Sequence, residues 1–136
     1  MNTTTTISMV EAAYQGRFGA DDDTTFAKIL HDDIVMEQPK SLPFGGVFHG
    51  KEAVLDCLAS VRGCWSKSSF KLERLTSGDN LLMAYCHMLI ASDHTGISYG
   101  GPFVELLRFS DGKIIEMRPF YFDTGRIAEV FGKDTP

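Results

Sequence analysis

Two carboxylates sit where a solvated row of side chains would not put them. In segment 103–109, alternate residues set Glu105 among Phe103, Leu107 and Phe109. In segment 113–123, the row Ile115, Met117, Pro119, Tyr121 ends on Asp123, with a phenol two residues before the carboxylate. A carboxyl pressed against apolar neighbours loses hydration and holds its proton more tightly. It then donates a hydrogen bond as the acid, or works as a base poised nearer neutrality. Glu105 and Asp123 together would make an acid/base pair, the sharpest chemistry these residues support unaided. Each has a plainer alternative. Glu105 could pair across a sheet with Arg118 or Arg108, and Asp123 could cap a helix that starts at Thr124.

Other polar residues carry weaker signals. Tyr14 falls on an apolar helical stripe and reads as core more readily than as catalyst, and Glu37 beside Pro39 reads equally as a solvated strand end. His87 shares a row with Leu81, Met83, Tyr85 and Leu89, the setting of a satisfied, partly buried histidine. His31, His49 and His94 form no ligand set with Asp or Cys, so no metal is expected. Gly45-Gly46 and Gly100-Gly101 lack the strand-to-helix setting and the lysine of a phosphate loop. Neither a nucleophile elbow nor a Cys–His pair is legible.

The elements that position these residues change period along the chain. Ser8 and Glu11 have capping-box spacing ahead of a stripe of Ile7, Val10, Tyr14 and Phe18, which leaves 1–6 as a disordered tail. A short second helix presents Phe26, Ile29 and Leu30. A strand over 34–38 stops at Pro39, and 41–46 reads as loop. A third helix follows Gly50, with Val54, Cys57, Leu58 and Val61 on one side and Trp65 extending the stripe. The period then drops towards two, giving strands near 68–76, 81–92, 98–109 and 113–123. Ser77-Gly78-Asp79-Asn80 and Ser110-Asp111-Gly112 are the turns between neighbours. A last short helix carries Ile127, Val130 and Phe131 and closes at Gly132. Helices first and hairpins afterwards predict a single α+β domain over 1–136, a strongly curved antiparallel sheet wrapped by about three helices of the N-terminal half.

Composition sets the class of partner. With 136 residues, 43% hydrophobic and 23% charged, the chain can bury a core without staples. Ten phenylalanines favour an apolar ligand cavity, and a net charge of −5 argues against nucleic acid and anionic membranes. Cys57, Cys64 and Cys86 read as free thiols in a reducing compartment, and the polar, uncharged start lacks the regions of a signal peptide, so a cytoplasmic location is expected.

Two motifs carry a family resemblance across nearly the whole chain. Glu37-Gln38-Pro39-Lys40-Ser41-Leu42-Pro43-Phe44-Gly45-Gly46, with Gly50 before the third helix, is similar to a stretch common in the SnoaL-like branch of the nuclear transport factor 2-like superfamily. Asp111-Gly112-Lys113-Ile114 followed by Pro119-Phe120-Tyr121-Phe122-Asp123-Thr124 resembles that branch's ending. The resemblance implies a cone-shaped, cystatin-like fold, a homodimer through the outer side of the sheet, and ketosteroid isomerases, polyketide cyclases and non-enzymatic binders as relatives. Tyr14 then falls at the isomerases' oxyanion tyrosine, and Glu105 at their protonated aspartate. Asp123 matches the acidic residue of the cyclases. Gln38 occupies the position of the isomerases' base, where an amide cannot abstract a proton, so Glu37 is the reserve base if a twist at Pro39 turns it inward. Phe103 stands where epoxide hydrolases carry an arginine, which counts against epoxide opening. The expected activity is acid/base isomerisation, cyclisation or related elimination of a small apolar carbonyl compound without a cofactor. Asp123, Glu105, Tyr14 and Glu37 are its candidate catalytic groups, and Tyr121, Trp65, Phe103, His87 and Gln38 its candidate pocket lining. A non-catalytic binder using the same pocket is the alternative.

Overall fold

The structure, a computed structural model, describes residues 3–19 and 22–132. Among them the order is α1 (Thr3–Gly19), α2 (Thr24–Lys28), β1 (Leu30–Gln38), β2 (Gly46–His49), α3 (Lys51–Gly63), β3 (Lys67–Gly78), β4 (Leu81–Ser92), β5 (Ile97–Ser110), β6 (Lys113–Tyr121) and α4 (Thr124–Phe131). α1 begins at Thr3, so residues 3–6 extend the helix instead of forming a tail, and Ser8 lies inside it. Met1 and Asn2 lie outside the described residues.

The expected α+β architecture is present as one curved six-stranded sheet in the order β2-β1-β6-β5-β4-β3. Hairpins make β3, β4, β5 and β6 successive antiparallel neighbours. The turns need backbone in the left-handed region, which Asp79, Asn80 and Asp111 adopt together with Gly112. Two departures concern the start of the sheet. β1 pairs with β6 in parallel, at Val35 with Glu116 and Met36 with Met117, so the sheet is mixed where an antiparallel one was expected. No hairpin joins these two strands to impose a direction. The loop expected over 41–46 ends in a short edge strand, β2, whose Gly46 pairs with Gln38.

Alternation decides which side chains face the helices. On β4 the buried row is Leu82, Ala84, Cys86, Met88 and Ile90, and the row with Met83, Tyr85, His87 and Leu89 faces outward. On β5 the buried row is Tyr99, Gly101, Phe103, Glu105 and Leu107. β6 carries an irregularity opposite Arg108 and Phe109, which leaves Ile115 without a ladder partner. This bulge turns Ile114 inward in place of Ile115, and Met117, Pro119 and Tyr121 keep the expected row. Val10, Ala13 and Tyr14 of α1, Val54, Leu58 and Val61 of α3 and Ile127, Val130 and Phe131 of α4 close the core over the concave face. Asp123 starts α4 as its N-cap and Gly132, with φ of 64°, ends it, as the sequence predicts.

Candidate active site

Between helices and sheet lies a cavity of about 40 Å³, lined by Arg17 and Phe18 of α1, Arg62 of α3, Trp65, Phe70 of β3, Phe103 and Glu105 of β5, Tyr121 of β6 and Gln38 of β1, with aliphatic residues between them. That volume admits water molecules, and it is far below the few hundred Å³ of a typical small-molecule site. Five of the lining side chains are aromatic. Phe70 stacks near Phe18 with ring centroids 5.2 Å apart and meets Phe103 edge-on at 6.2 Å. Trp65 approaches Phe70 at 5.8 Å, and Phe103 approaches Tyr121 at 5.7 Å.

Glu105 is the only carboxylate lining this cavity among the described residues, and it is 2% exposed. Its partner is neither Arg118 nor Arg108. Those two pair on the outer face, Arg118 with Glu37 at 3.0 Å and Arg108 with Glu116 at 3.1 Å. Glu105 instead meets Arg17, whose Nη1 lies 3.5 Å from Oε1. The Arg17 guanidinium sits over the rings of Phe18 and Phe26, 5.3 and 5.0 Å from their centroids. Burial raises the Glu105 pKa, and the Arg17 charge opposes part of that rise. Tyr14 is fully buried nearby, close enough for burial and then the Glu105 charge to hold its phenol well above the ordinary range. Even so, among the described residues the Tyr14 hydroxyl and Glu105 Oε2 lack a hydrogen bond of normal geometry.

A second polar pair adjoins the first. The Tyr121 hydroxyl donates to Gln38 Oε1 at 3.0 Å, and Gln38 is 2% exposed. Among the described residues its amide Nε2 reaches only the Met36 sulfur, at 3.7 Å. Burial raises the Tyr121 pKa, so the phenol stays protonated at neutral pH and serves as a donor. Burial likewise raises the Cys86 thiol far above neutrality, which removes it as a nucleophile.

The structure therefore brings Glu105, Gln38, Tyr121, Phe103 and Trp65 to one cavity, with Tyr14 behind Glu105. It does not bring the others. Glu37 alternates with Gln38, lies on the outer face and pairs with Arg118, because no twist at Pro39 reverses it. His87 is exposed on the outer row of β4, opposite the cavity. Asp123 is exposed, and its Oδ1 accepts from the backbone N–H of Arg126 at 3.0 Å, the capping role. Arg17, Arg62, Phe18 and Phe70 are lining residues that sequence reasoning missed. The signal for Arg17 was its spacing of three from Tyr14 on one helix, which places both on neighbouring ridges. Arg62 is held by a bidentate pair with Asp23, at 3.1 and 3.3 Å.

With this geometry established, the chain belongs to the SnoaL-like domain family, whose model matches residues 10–117. No curated protein matches the sequence. Among solved structures it is similar to a protein of unknown function with a cystatin-like fold from Xanthomonas campestris, at 23% identity, a TM-score of 0.82 and coverage of 98% of this chain and 100% of that one. It is also similar to a protein from a Jannaschia species assigned as a SnoaL-like polyketide cyclase, at 16% identity, a TM-score of 0.78 and coverage of 95% and 93%. A third structure, TerC co-crystallised with polyporic acid, has 19% identity, a TM-score of 0.80 and coverage of 93% and 97%. At these identities the likeness establishes the fold alone.

Proposed function

We propose that the chain is a cofactor-independent acid/base enzyme of the isomerase or cyclase type, acting on a small, largely apolar carbonyl compound in this cavity. The observation that carries the reading is Glu105, a carboxylate buried among aromatic rings with a raised pKa and one cationic partner. Ionised, Glu105 takes a proton from the carbon beside the carbonyl and becomes the neutral acid. The electron pair moves onto the carbonyl oxygen as an enolate, and Glu105 returns the proton to the same or another carbon. The Gln38 amide, whose Nε2 contacts the Met36 thioether, and the Arg17 guanidinium supply donors for the developing charge. The substrate gains room by displacing the rings of Phe18, Phe70 and Trp65. Proton transfer thus moves from Asp123, which caps α4, to Glu105.

The test is deuterium uptake from heavy water into tetralone, followed by mass spectrometry. Glu105→Gln is expected to slow uptake about 100-fold, the scale of a lost general base, and Asp123→Asn to leave it near wild type. The reverse ranking would return the role to Asp123. One observation favours the second reading, a binder without catalysis: Gln38 stands where the isomerases' base belongs. Binding of tetralone with uptake no faster than in buffer would select it.

A homodimer through the sheet is part of this proposal. The outer rows expose Met83 and Tyr85 at 42% and 43%, Leu89 at 56% and Phe120 at 53%. Large apolar side chains repeated on one sheet face are the mark of a covered surface. Sedimentation equilibrium is expected to give twice the chain's mass, and Leu89→Glu to give the single chain. A wild-type monomer would remove the dimer. A cytoplasmic setting is proposed as well, supported by the buried, unbridged thiols of Cys57 and Cys86.

A further inference from the structure

Between α1 and β3 lies a groove of about 540 Å³, open to solvent and within the size range of small-molecule sites. Its apolar lining includes Phe18 of α1 and Phe70, Leu72 and Leu75 of β3. The two leucines owe their shared face to an irregularity. Residues three apart on a regular strand point to opposite faces. β3 carries an extra residue at Glu73, so Leu72 stands opposite Cys86 and Leu75 opposite Ala84, both on the row that faces the helices. Both leucines nevertheless stay half-exposed. Around them Glu11, Lys71, Glu73 and Arg74 are exposed, and their two signs balance, so the groove selects neither an anion nor a cation. Phe18 and Phe70 also line the 40 Å³ cavity that holds Glu105, and among the described residues no others line both spaces. These two rings stack with centroids 5.2 Å apart, and each is half-buried.

We propose that the groove is the second half of the substrate site. It holds an unbranched hydrocarbon tail whose carbonyl-bearing head lies in the cavity beside Glu105, and the tail passes between Phe18 and Phe70. This rests on reading the cavity as the substrate site, and it narrows the substrate from any small apolar ketone to one that carries such a tail. The cavity alone is too small for the head, so the rings must part to admit it. Parting Phe18 from Phe70 joins the cavity to the groove, which supplies apolar surface already shaped and still partly wet. A tail covers Leu72 and Leu75 and asks nothing of the mixed charges around them.

The probes are tetralone and a hexyltetralone, the same head with a hexyl chain on its aromatic ring. Calorimetric titration is expected to show the hexyltetralone binding about 50-fold tighter. A fully buried methylene is worth roughly a factor of four, and an open groove covers about half of the chain. Leu75→Glu, which sets a charge in the groove, is expected to bring the two affinities towards parity. In leucine-labelled wild type, the methyl signals of Leu72 and Leu75 are expected to move with the hexyltetralone and not with tetralone, a reading that needs no variant to fold. The hexyltetralone is also expected to displace tetralone. Simultaneous binding of the two would overturn the inference, because the groove would then be a site of its own. A preference that survives Leu75→Glu, or leucine methyls unmoved at saturation, would overturn it by placing the tail elsewhere. Deuterium uptake is read separately. Uptake that is lost with Glu105→Gln, beside equal affinities for the two ketones, keeps the enzyme and removes the tail site. Tail-dependent binding without uptake keeps the groove and removes the catalysis.

Discussion

Arg17→Met is expected to lower stability by about 3 kcal/mol above neutral pH and far less in acid, and Arg17→Met with Glu105→Gln to recover most of the loss. Breaking a buried ion pair by removing one partner costs roughly 3–5 kcal/mol, because the remaining charge is stranded. The 3.5 Å separation sets this pair at the lower end of that range. Methionine keeps an apolar stem between Phe18 and Phe26, so the effect reports charge more than packing. The pH dependence follows from the direction of the Glu105 shift. Its pKa is raised in the folded state, chiefly by burial. A carboxyl of this kind contributes stability that is complete below its unfolded pKa, about 4.3, and is lost as pH rises through the folded value. Arg17 limits that loss by lowering the folded pKa. Without Arg17 the folded pKa climbs further, and the loss deepens and extends to higher pH. Urea denaturation across pH should therefore show a steeper alkaline decline for Arg17→Met than for the wild type, with the double variant flat. A loss of equal size at every pH would show that Arg17 acts by packing alone. The rate of deuterium uptake should shift towards alkaline pH in Arg17→Met, since the base is protonated over a wider range.

That pair also shows where sequence reasoning reaches and where it stops. Glu105 was legible because a two-residue period around it mixes one carboxylate into an apolar row, and β5 keeps that period without a break there. Its partner was not, because Arg17 lies 88 residues away and the contact depends on how α1 is rotated over the sheet. The cross-strand arginines that local geometry suggested belong to the other face. The hairpins were legible because their turn residues accept positive φ. The faces of β4 were not, since both rows are apolar, and His87 went to the wrong one for that reason. At Asp123 two chemistries competed for one carboxylate, and the helix that starts at the next residue took it. The edge strand β2 was hidden by Pro43, Gly45 and Gly46, which read as loop; Pro43 and Gly45 lie in the connection that delivers it, and Gly46 is its first residue.

In that turn, Gly45→Ala is expected to destabilise the fold by about 3 kcal/mol or more, lowering the melting temperature by roughly 10 °C for a domain of this size. The chain between β1 and β2 doubles back through two consecutive turns, with Leu42 N–H donating to the Pro39 carbonyl at 3.1 Å and Gly45 N–H to the Leu42 carbonyl at 2.9 Å. A Cβ on Gly45 would stand 2.2 Å from the Pro39 oxygen, 2.8 Å from the Lys40 Cα and 3.0 Å from the Leu42 oxygen. All three are backbone atoms, so no rotamer change relieves the overlap and the turn itself must open. Opening it moves Phe44, which is buried against Tyr121 and Phe131, and disturbs the pairing of Gln38 with Gly46. The damage thus reaches the Gln38–Tyr121 hydrogen bond at the cavity, and deuterium uptake should fall along with stability. Gly46→Ala is the control. Its φ of 130° disfavours a side chain, but nothing lies within 4 Å of the added carbon. Conformational strain alone costs about 1–2 kcal/mol, so this variant should melt between Gly45→Ala and the wild type. If Gly46→Ala proves the more damaging, backbone conformation rules the motif. If Gly45→Ala does, the two glycines that carry the family resemblance have separate reasons: the first for lack of space and the second for a left-handed bend.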